Sequence, residues 1–363
     1  MARGRIPSLD GLRALSIAFV LIQHSVGSTG SEFERYTTNF GRLGVWIFFV
    51  ISGFIITHLL LREAERGPIW LRGFYLRRAF RLLPALFAFL LFIAVVQISG
   101  VYLGVEPIHF ASGALFLVPY LPWGVEHHPW TTGHLWSLAV EEHFYLLWPL
   151  LLAWLGVRRA KWLLIAFAVI LPALRVVWYK WKLDPLANSL LGIGDLMAYG
   201  ALAAIWHHRR PEAMLRFMSK YVALGRILAA LALGGVLALR TAELWPIMTV
   251  PLGMTVVGLA VAYLLLSTCF VGRSESIVFR LLNLRWVAWV GTISYSLYLW
   301  QQPFLHKHSD SAEWWQQFPV NIGLAVLAAI GSFYLVERSF LELKKRSMWR
   351  HVFNVSDNGS PTR

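Results

Sequence analysis

Leu43-Gly-Val-Trp-Ile-Phe-Phe-Val-Ile-Ser-Gly-Phe-Ile-Ile-Thr-His-Leu-Leu-Leu61 decides the fold class. It is an apolar run that ends at Arg62, where a basic stretch begins. A helix that crosses a bilayer needs about 20 mostly apolar residues, and this run supplies them. Comparable runs occupy residues 9–27, 80–99, 135–155, 161–178, 187–206, 223–240, 247–267, 286–304 and 319–337. The chain therefore reads as an all-α, polytopic integral membrane protein with about ten transmembrane helices.

Composition agrees. Of 363 residues, 57% are hydrophobic and 14% charged. Ordinary soluble domains carry about 25% charged residues, so this chain is too apolar to dissolve throughout. The mean hydropathy is +0.58. A formal charge of +14 would suggest nucleic acid in a soluble protein. Here cytoplasmic loops rich in Lys and Arg account for it, and no nucleic-acid partner is expected. The 18 tryptophans suit interfacial belts. The lone Cys269 excludes an intramolecular disulfide and a cysteine-based metal site.

Charge also sets the expected orientation. With ten spans and a cytoplasmic N-terminus, Arg3, Arg5 and the basic runs 62–81, 158–161, 209–226, 273–285 and 338–350 lie inside. Arg35, Arg42, Lys180, Lys182, Arg240 and Lys307 lie outside. That is a ratio of about four to one, as the positive-inside rule requires. A further apolar stretch, 109–123, carries Pro119 and Pro122. Counting it as a span would send the later basic runs outside, so it is read as non-spanning, at the outer face. Both termini are then cytoplasmic, with a membrane domain over 1–343 and a basic, polar tail over 344–363. The N-terminal run is read as a signal anchor rather than a cleaved signal, because cleavage near Gly27 would discard Asp10, Arg13 and His24.

Four polar clusters sit where lipid makes them costly. An ionisable group near the bilayer centre costs about 2.5 kcal/mol or more, which marks it as a functional candidate. The first cluster is Asp10, Arg13 and His24 on span one. Arg13 and His24 lie eleven residues apart, hence on one helix face and about 16 Å apart along the axis. The plainer alternative is a snorkelling arginine and an interfacial histidine. The second is Arg77, Arg78 and Arg81, three guanidinium groups gathered at the inner surface and suited to phosphate. An anchor on anionic lipid is its alternative.

The third cluster opens span four: His134, Trp136, Ser137, Glu141, Glu142, His143 and Tyr145. His134, Ser137, Glu141 and Tyr145 share one stripe. Helix N-termini favour carboxylates, but both glutamates lie beyond the first turn, where that effect fades. The pattern is not His-Glu-x-x-His, and no metal is expected. The fourth closes span nine: Ser294, Tyr295, Ser296, Tyr298, Gln301 and Gln302. These are either interhelical hydrogen-bonding groups or substrate contacts. Arg175, Asn188 and Asp195 stand alone in the sequence, and Asp195 is free to pair with any inward arginine.

Taken together, these segments resemble the acyltransferase 3 family of membrane-bound acyltransferases over roughly 6–344. The matching elements are Leu9-Asp10-Gly11-Leu12-Arg13 with His24, the glycine-rich Gly44–Phe54 stretch of span two, Arg78-Ala-Phe-Arg81, His134-Leu-Trp136-Ser137-Leu-Ala-Val-Glu141-Glu142, and Ser294-Tyr295 with Tyr298-Leu299. His143 stands where the family commonly has Gln, and Gln301 where it commonly has His. Many relatives carry a further extracytoplasmic hydrolase-like domain. These 363 residues hold none, so a second transfer step is expected to need another protein.

The resemblance implies residence in a bacterial inner membrane. It also implies transfer of an acyl group, usually acetyl, from acetyl-CoA or another acyl-CoA to a hydroxyl of a carbohydrate, glycolipid or macrolide acceptor. Arg13, Arg77, Arg78 and Arg81 are the expected donor-binding residues. His24, Glu141, Glu142, His134 and Ser137 are the catalytic candidates, with His24 as general base and a glutamate holding its tautomer. Trp136, Tyr295, Tyr298 and Gln301 are the expected substrate contacts, and Ser137 or Tyr295 the oxyanion donor. The competing readings are a transporter or flippase for an anionic substrate, and a scaffold subunit of an envelope-synthesis complex.

Overall fold

A computed structural model describes residues 6, 8–101, 103–121, 128–181, 188–271, 276–306 and 313–343. The proposed tail, 344–363, lies outside the described residues. Every described element is helical, as a chain in lipid requires when its backbone groups must be satisfied within each segment. The main elements are α1 (Leu9–Gly27), α2 (Phe40–Ala64), α3 (Leu71–Ile98), α4 (Pro107–Ala114), α5 (Leu135–Trp181, broken at Gly156), α6 (Asp195–Arg209), α7 (Pro211–Thr241), α8 (Gly253–Phe270), α9 (Arg285–Thr292), α10 (Ser294–Phe304) and α11 (Val320–Gly331).

Among the described residues, seven helical stretches are long and apolar enough to cross a membrane. One of them, Trp130–Trp181, takes in two of the expected crossings. The expected crossings at 187–206 and 286–304 are interrupted. The first consists of a short turn, Leu190–Ile193, followed by α6, and the second breaks at Ile293 between α9 and α10. Each piece is shorter than a bilayer, which is why length and composition give seven stretches where apolar runs suggest about ten. The 109–123 region forms α4 and a single 3₁₀ turn at Val118–Tyr120. Eight residues of helix rise about 12 Å, too little to cross; residues 122–123 lie outside the described set.

Helix α2 is the axis of the bundle. Its apolar window is 78% buried, against 11% for α7 at the periphery. Glycine makes that burial possible. A methyl group added at Gly53 would overlap the Met197 carbonyl of α6, and one at Gly200 would overlap the Val50 carbonyl of α2. Small residues let membrane helices approach to backbone contact, where dispersion forces do the holding. The α2–α6 pair is further braced from α5. Arg175 there makes a bidentate ion pair with Asp195 of α6, at 2.6 and 2.8 Å. Its remaining donors reach the carbonyls of Gly192 and Pro251 and the hydroxyl of Thr255.

Candidate active site

The 3.6-residue period of α5 places Ser137, Glu141 and Tyr145 on one face, turned toward α2. They line an internal cavity of about 80 Å³ together with Ser52 of α2, Arg13 of α1, Arg78 and Arg81 of α3, and Tyr295 and Tyr298 of α10. Five sequence segments far apart in the chain therefore meet at one small chamber, with room for a few waters or a short acyl chain.

Its charges are arranged in pairs of opposite sign. Glu141 accepts hydrogen bonds from the hydroxyls of Ser52 and Tyr145. The Arg78 guanidinium stacks over the Tyr145 ring, 3.7 Å from its centroid, and interacts with both Glu142 and Glu141. Its Nε is buried without a hydrogen-bond partner. Glu142 itself does not line the chamber. On the opposite wall Arg81 lies near Arg13 and near Glu337, whose carboxylate accepts from Ser296. The sequence reading missed Glu337. It ends a π-helical turn, Ser332–Glu337, a form frequent at functional sites, and it is 3% exposed.

A second, larger cavity of about 560 Å³ adjoins the first and shares Ile55, Arg78 and Arg81 with it. Arg62, Arg66 and Arg77 complete a lining of five arginines against the single carboxylate of Glu63. Arg77 is partly neutralised by Glu63 at 3.0 Å. Five guanidinium groups against one lining carboxylate leave the chamber with an excess of positive charge, suited to a polyphosphate.

His24 lies at the far end of α1 from Arg13. Its Nδ1 is 2.6 Å from Oε1 of Gln301, and its ring meets the Trp130 indole edge-on at 5.1 Å. Neither Glu141 nor Glu142 takes the tautomer-holding position expected for them; the amide of Gln301 does. Gln301 is fully buried, and its Nε2 has no hydrogen-bond partner. His134 is held by the next residue. Its Nδ1 is 2.7 Å from Oε1 of Gln302, and its Nε2 is 3.0 Å from the Leu299 carbonyl. Both nitrogens of His134 are thus engaged, whereas Nε2 of His24 makes no hydrogen bond among the described residues.

Both chamber tyrosines of α10 are hydrogen-bonded within the protein. The Tyr295 hydroxyl donates to the Leu82 carbonyl at 3.0 Å, while that of Tyr298 meets Ser137 Oγ at 2.6 Å. Trp136 does not line this chamber; its ring packs edge-on against Phe49, at 6.3 Å, on the chamber's far side. His143 also lies apart, beside Tyr120. Among the described residues no group of three or more His, Cys, Asp or Glu side chains is placed to hold a metal.

The acyltransferase domain family matches residues 6–337, nearly the whole described chain. The chain belongs to the acyltransferase 3 family. Among curated relatives it is 29% identical to the peptidoglycan O-acetyltransferase OatA of Listeria monocytogenes, over 93% of this chain and 55% of that protein. It is 29% identical to the putative peptidoglycan O-acetyltransferase YrhL of Bacillus subtilis, over 96% of this chain and 57% of that one. A putative O-acetyltransferase of Staphylococcus aureus is 37% identical over 40% of this chain. The chain thus spans little more than half the length of the two relatives it matches end to end. No solved structure matches it.

Proposed function

We propose that the protein is a multi-pass membrane O-acyltransferase that moves an acyl group, acetyl by preference, from acyl-CoA to a hydroxyl of a carbohydrate acceptor. The observation that carries this reading is the continuity of two cavities along α2. A five-arginine chamber at one end of the helix opens, past Arg78 and Arg81, into a narrow interior lined by hydroxyls and a carboxylate. A CoA diphosphate suits the first chamber, and a short acyl group suits the second. The positive-inside pattern supports a cytoplasmic face for the arginine chamber, cytoplasmic termini and about ten crossings, and the bacterial relatives support a bacterial inner membrane. The relatives named as peptidoglycan O-acetyltransferases favour an envelope glycan as acceptor.

In this mechanism Nε2 of His24 takes the proton from the acceptor hydroxyl as its oxygen attacks the thioester carbonyl carbon. The carbonyl π electrons move onto oxygen, and the hydroxyl of Ser137 or Tyr298, turning from the His134 carbonyl that both reach, supplies a hydrogen bond for that oxyanion. Collapse re-forms the carbonyl and breaks the C–S bond. The thiolate leaves with the proton from the His24 imidazolium, so the products are the ester and free CoA. His134, with both nitrogens engaged, acts as a brace for the acceptor side rather than as a second base.

The test is CoA release from acetyl-CoA by purified protein supplied with envelope glycans, wild type against His24→Ala. Turnover that disappears in a folded, inserted variant supports the reading. Normal turnover by His24→Ala, or none by the wild type with any glycan, would sink it, and the second result would favour a transporter.

A further inference from the structure

Helix α2 has a second end, and it too opens into a cavity. Arg42 lies in its first turn, twenty residues before Arg62. At 1.5 Å per residue the two are about 30 Å apart, the thickness of a bilayer's hydrocarbon core. Around Arg42 is a cavity of about 230 Å³ whose lining includes Trp46, Trp136, Trp178, Tyr179 and Arg240. Through Arg42, Arg240 and Val250 it continues into an open groove of about 670 Å³ that Arg35 and Glu243 also line.

Three indoles, a phenol and two arginines are a specific chemistry. Aromatic faces are electron-rich and apolar, and they stack against the C–H face of a pyranose ring. Guanidinium groups bind carboxylate or phosphate through two parallel hydrogen bonds. The arginines here are available for that work. Arg175 also borders the cavity, but Asp195, Thr255 and two backbone carbonyls take up its donors. Arg42, by contrast, is exposed and has no hydrogen-bond or ion-pair partner among the described residues. Arg240 is positioned by Asn39 and the Thr249 carbonyl, lies 5.5 Å from the Trp46 ring centroid, and makes no hydrogen bond through Nη2. The two cations repel each other, and Glu243 is the one carboxylate among the residues that line the cavity and groove.

We propose that this aromatic, two-arginine groove binds an anionic carbohydrate, its charge carried by a carboxylate or a phosphate. The proposal rests on the acyltransferase reading for the role of that sugar as acceptor, though not for its binding. Position supports the link. Trp136 walls the groove and meets Phe49, which lines the reaction chamber, and the residue after Trp136 is the chamber's Ser137. One layer of side chains thus separates a bound sugar from the donor's path. On this proposal, the substrate contact expected of Trp136 falls on the groove side.

Calorimetric titration of the full chain in phosphatidylcholine nanodiscs with glucose, glucuronate, glucose 6-phosphate and inorganic phosphate tests this. One or both anionic sugars should bind at least roughly tenfold more tightly than glucose and than phosphate alone, the size expected for a charge-assisted hydrogen bond. Glucuronate binding alone identifies a carboxylate, and glucose 6-phosphate alone a phosphate. Arg42→Gln and Trp178→Ala should each weaken that binding by roughly tenfold while acetyl-CoA binding stays intact, which shows the fold survives. The proposal falls if glucose or phosphate alone binds as tightly, if no sugar binds, or if Arg42→Gln leaves affinity unchanged. Wild-type protein that binds anionic sugar but transfers no acetyl group would instead overturn the acyltransferase reading and leave the groove standing.

Discussion

Oε1 of Gln301 sits 2.6 Å from Nδ1 of His24, and its neighbour Gln302 reaches Nδ1 of His134 at 2.7 Å. With a carbonyl-type oxygen facing Nδ1, that nitrogen of His24 carries the hydrogen and the lone pair resides on Nε2. An amide oxygen therefore stands where a carboxylate was expected. Replacing it by Gln301→Leu should lower kcat by roughly a hundredfold, the low end of what general-base catalysis supplies, with the donor KM unchanged. Gln301→Glu, which restores an acceptor, should recover much of the rate. Steady-state kinetics of the two variants decide it; a kcat within twofold of wild type for Gln301→Leu would remove Gln301 from the mechanism.

Arg81 is the cleaner probe of the proposed donor site than Arg78. Loss of Arg78 also strips Tyr145, Glu141 and Glu142 of their cation, so stability falls with it. Arg81→Ala should raise the KM for acetyl-CoA by roughly tenfold or more and leave that for acetyl-pantetheine, which lacks the phosphates, nearly unchanged. Arg81→Lys should fall between, because it keeps the charge but not the fork. Equal effects on both donors would argue against a phosphate role.

The α2–α6 contact predicts a packing defect with no chemistry attached. Gly53→Ala or Gly200→Ala drives a methyl group into a partner backbone carbonyl. Each should cost about 1–3 kcal/mol, the usual penalty for overpacking. Thermal unfolding in detergent measures this, and unchanged melting would mean that the helices part without cost.

Arg175 and Asp195 form a buried pair, 6% and 0% exposed. Removing one partner leaves a bare charge, at a cost of about 3–5 kcal/mol, so Asp195→Ala should be among the most destabilising single changes in the protein. Asp195→Ala combined with Arg175→Met should recover part of the loss, because no unpaired charge then remains. Melting temperatures of the two variants show whether it does.

Periodicity made much of this site readable in advance. The stripe of Ser137, Glu141 and Tyr145 is a local property of one helix, and all three line the chamber, whereas His134 and His24 do not. What was not readable is pairing between helices. Asp195 had several conceivable partners in the sequence and one in space. Glu337 ends an apolar run, where an interfacial carboxylate is unremarkable, and only the fold shows it buried beside Arg81. The break at Gly156 is marked by the basic run 158–161 that follows it, whereas the one at Ile293 falls inside an apolar run and has no such mark.

The adjacency of Gln301 and Gln302 restricts how this region can change over generations. One holds a histidine of α1 and the other the histidine just before α5, and both follow the break at Ile293. Inserting or deleting one residue between Ile293 and Gln301 would rotate both amides by about 100° and release His24 and His134 together. Substitution can retune either histidine separately, but an indel in this stretch disables both at once. Length variation among descendants of this chain should therefore gather in the loops and spare 293–302.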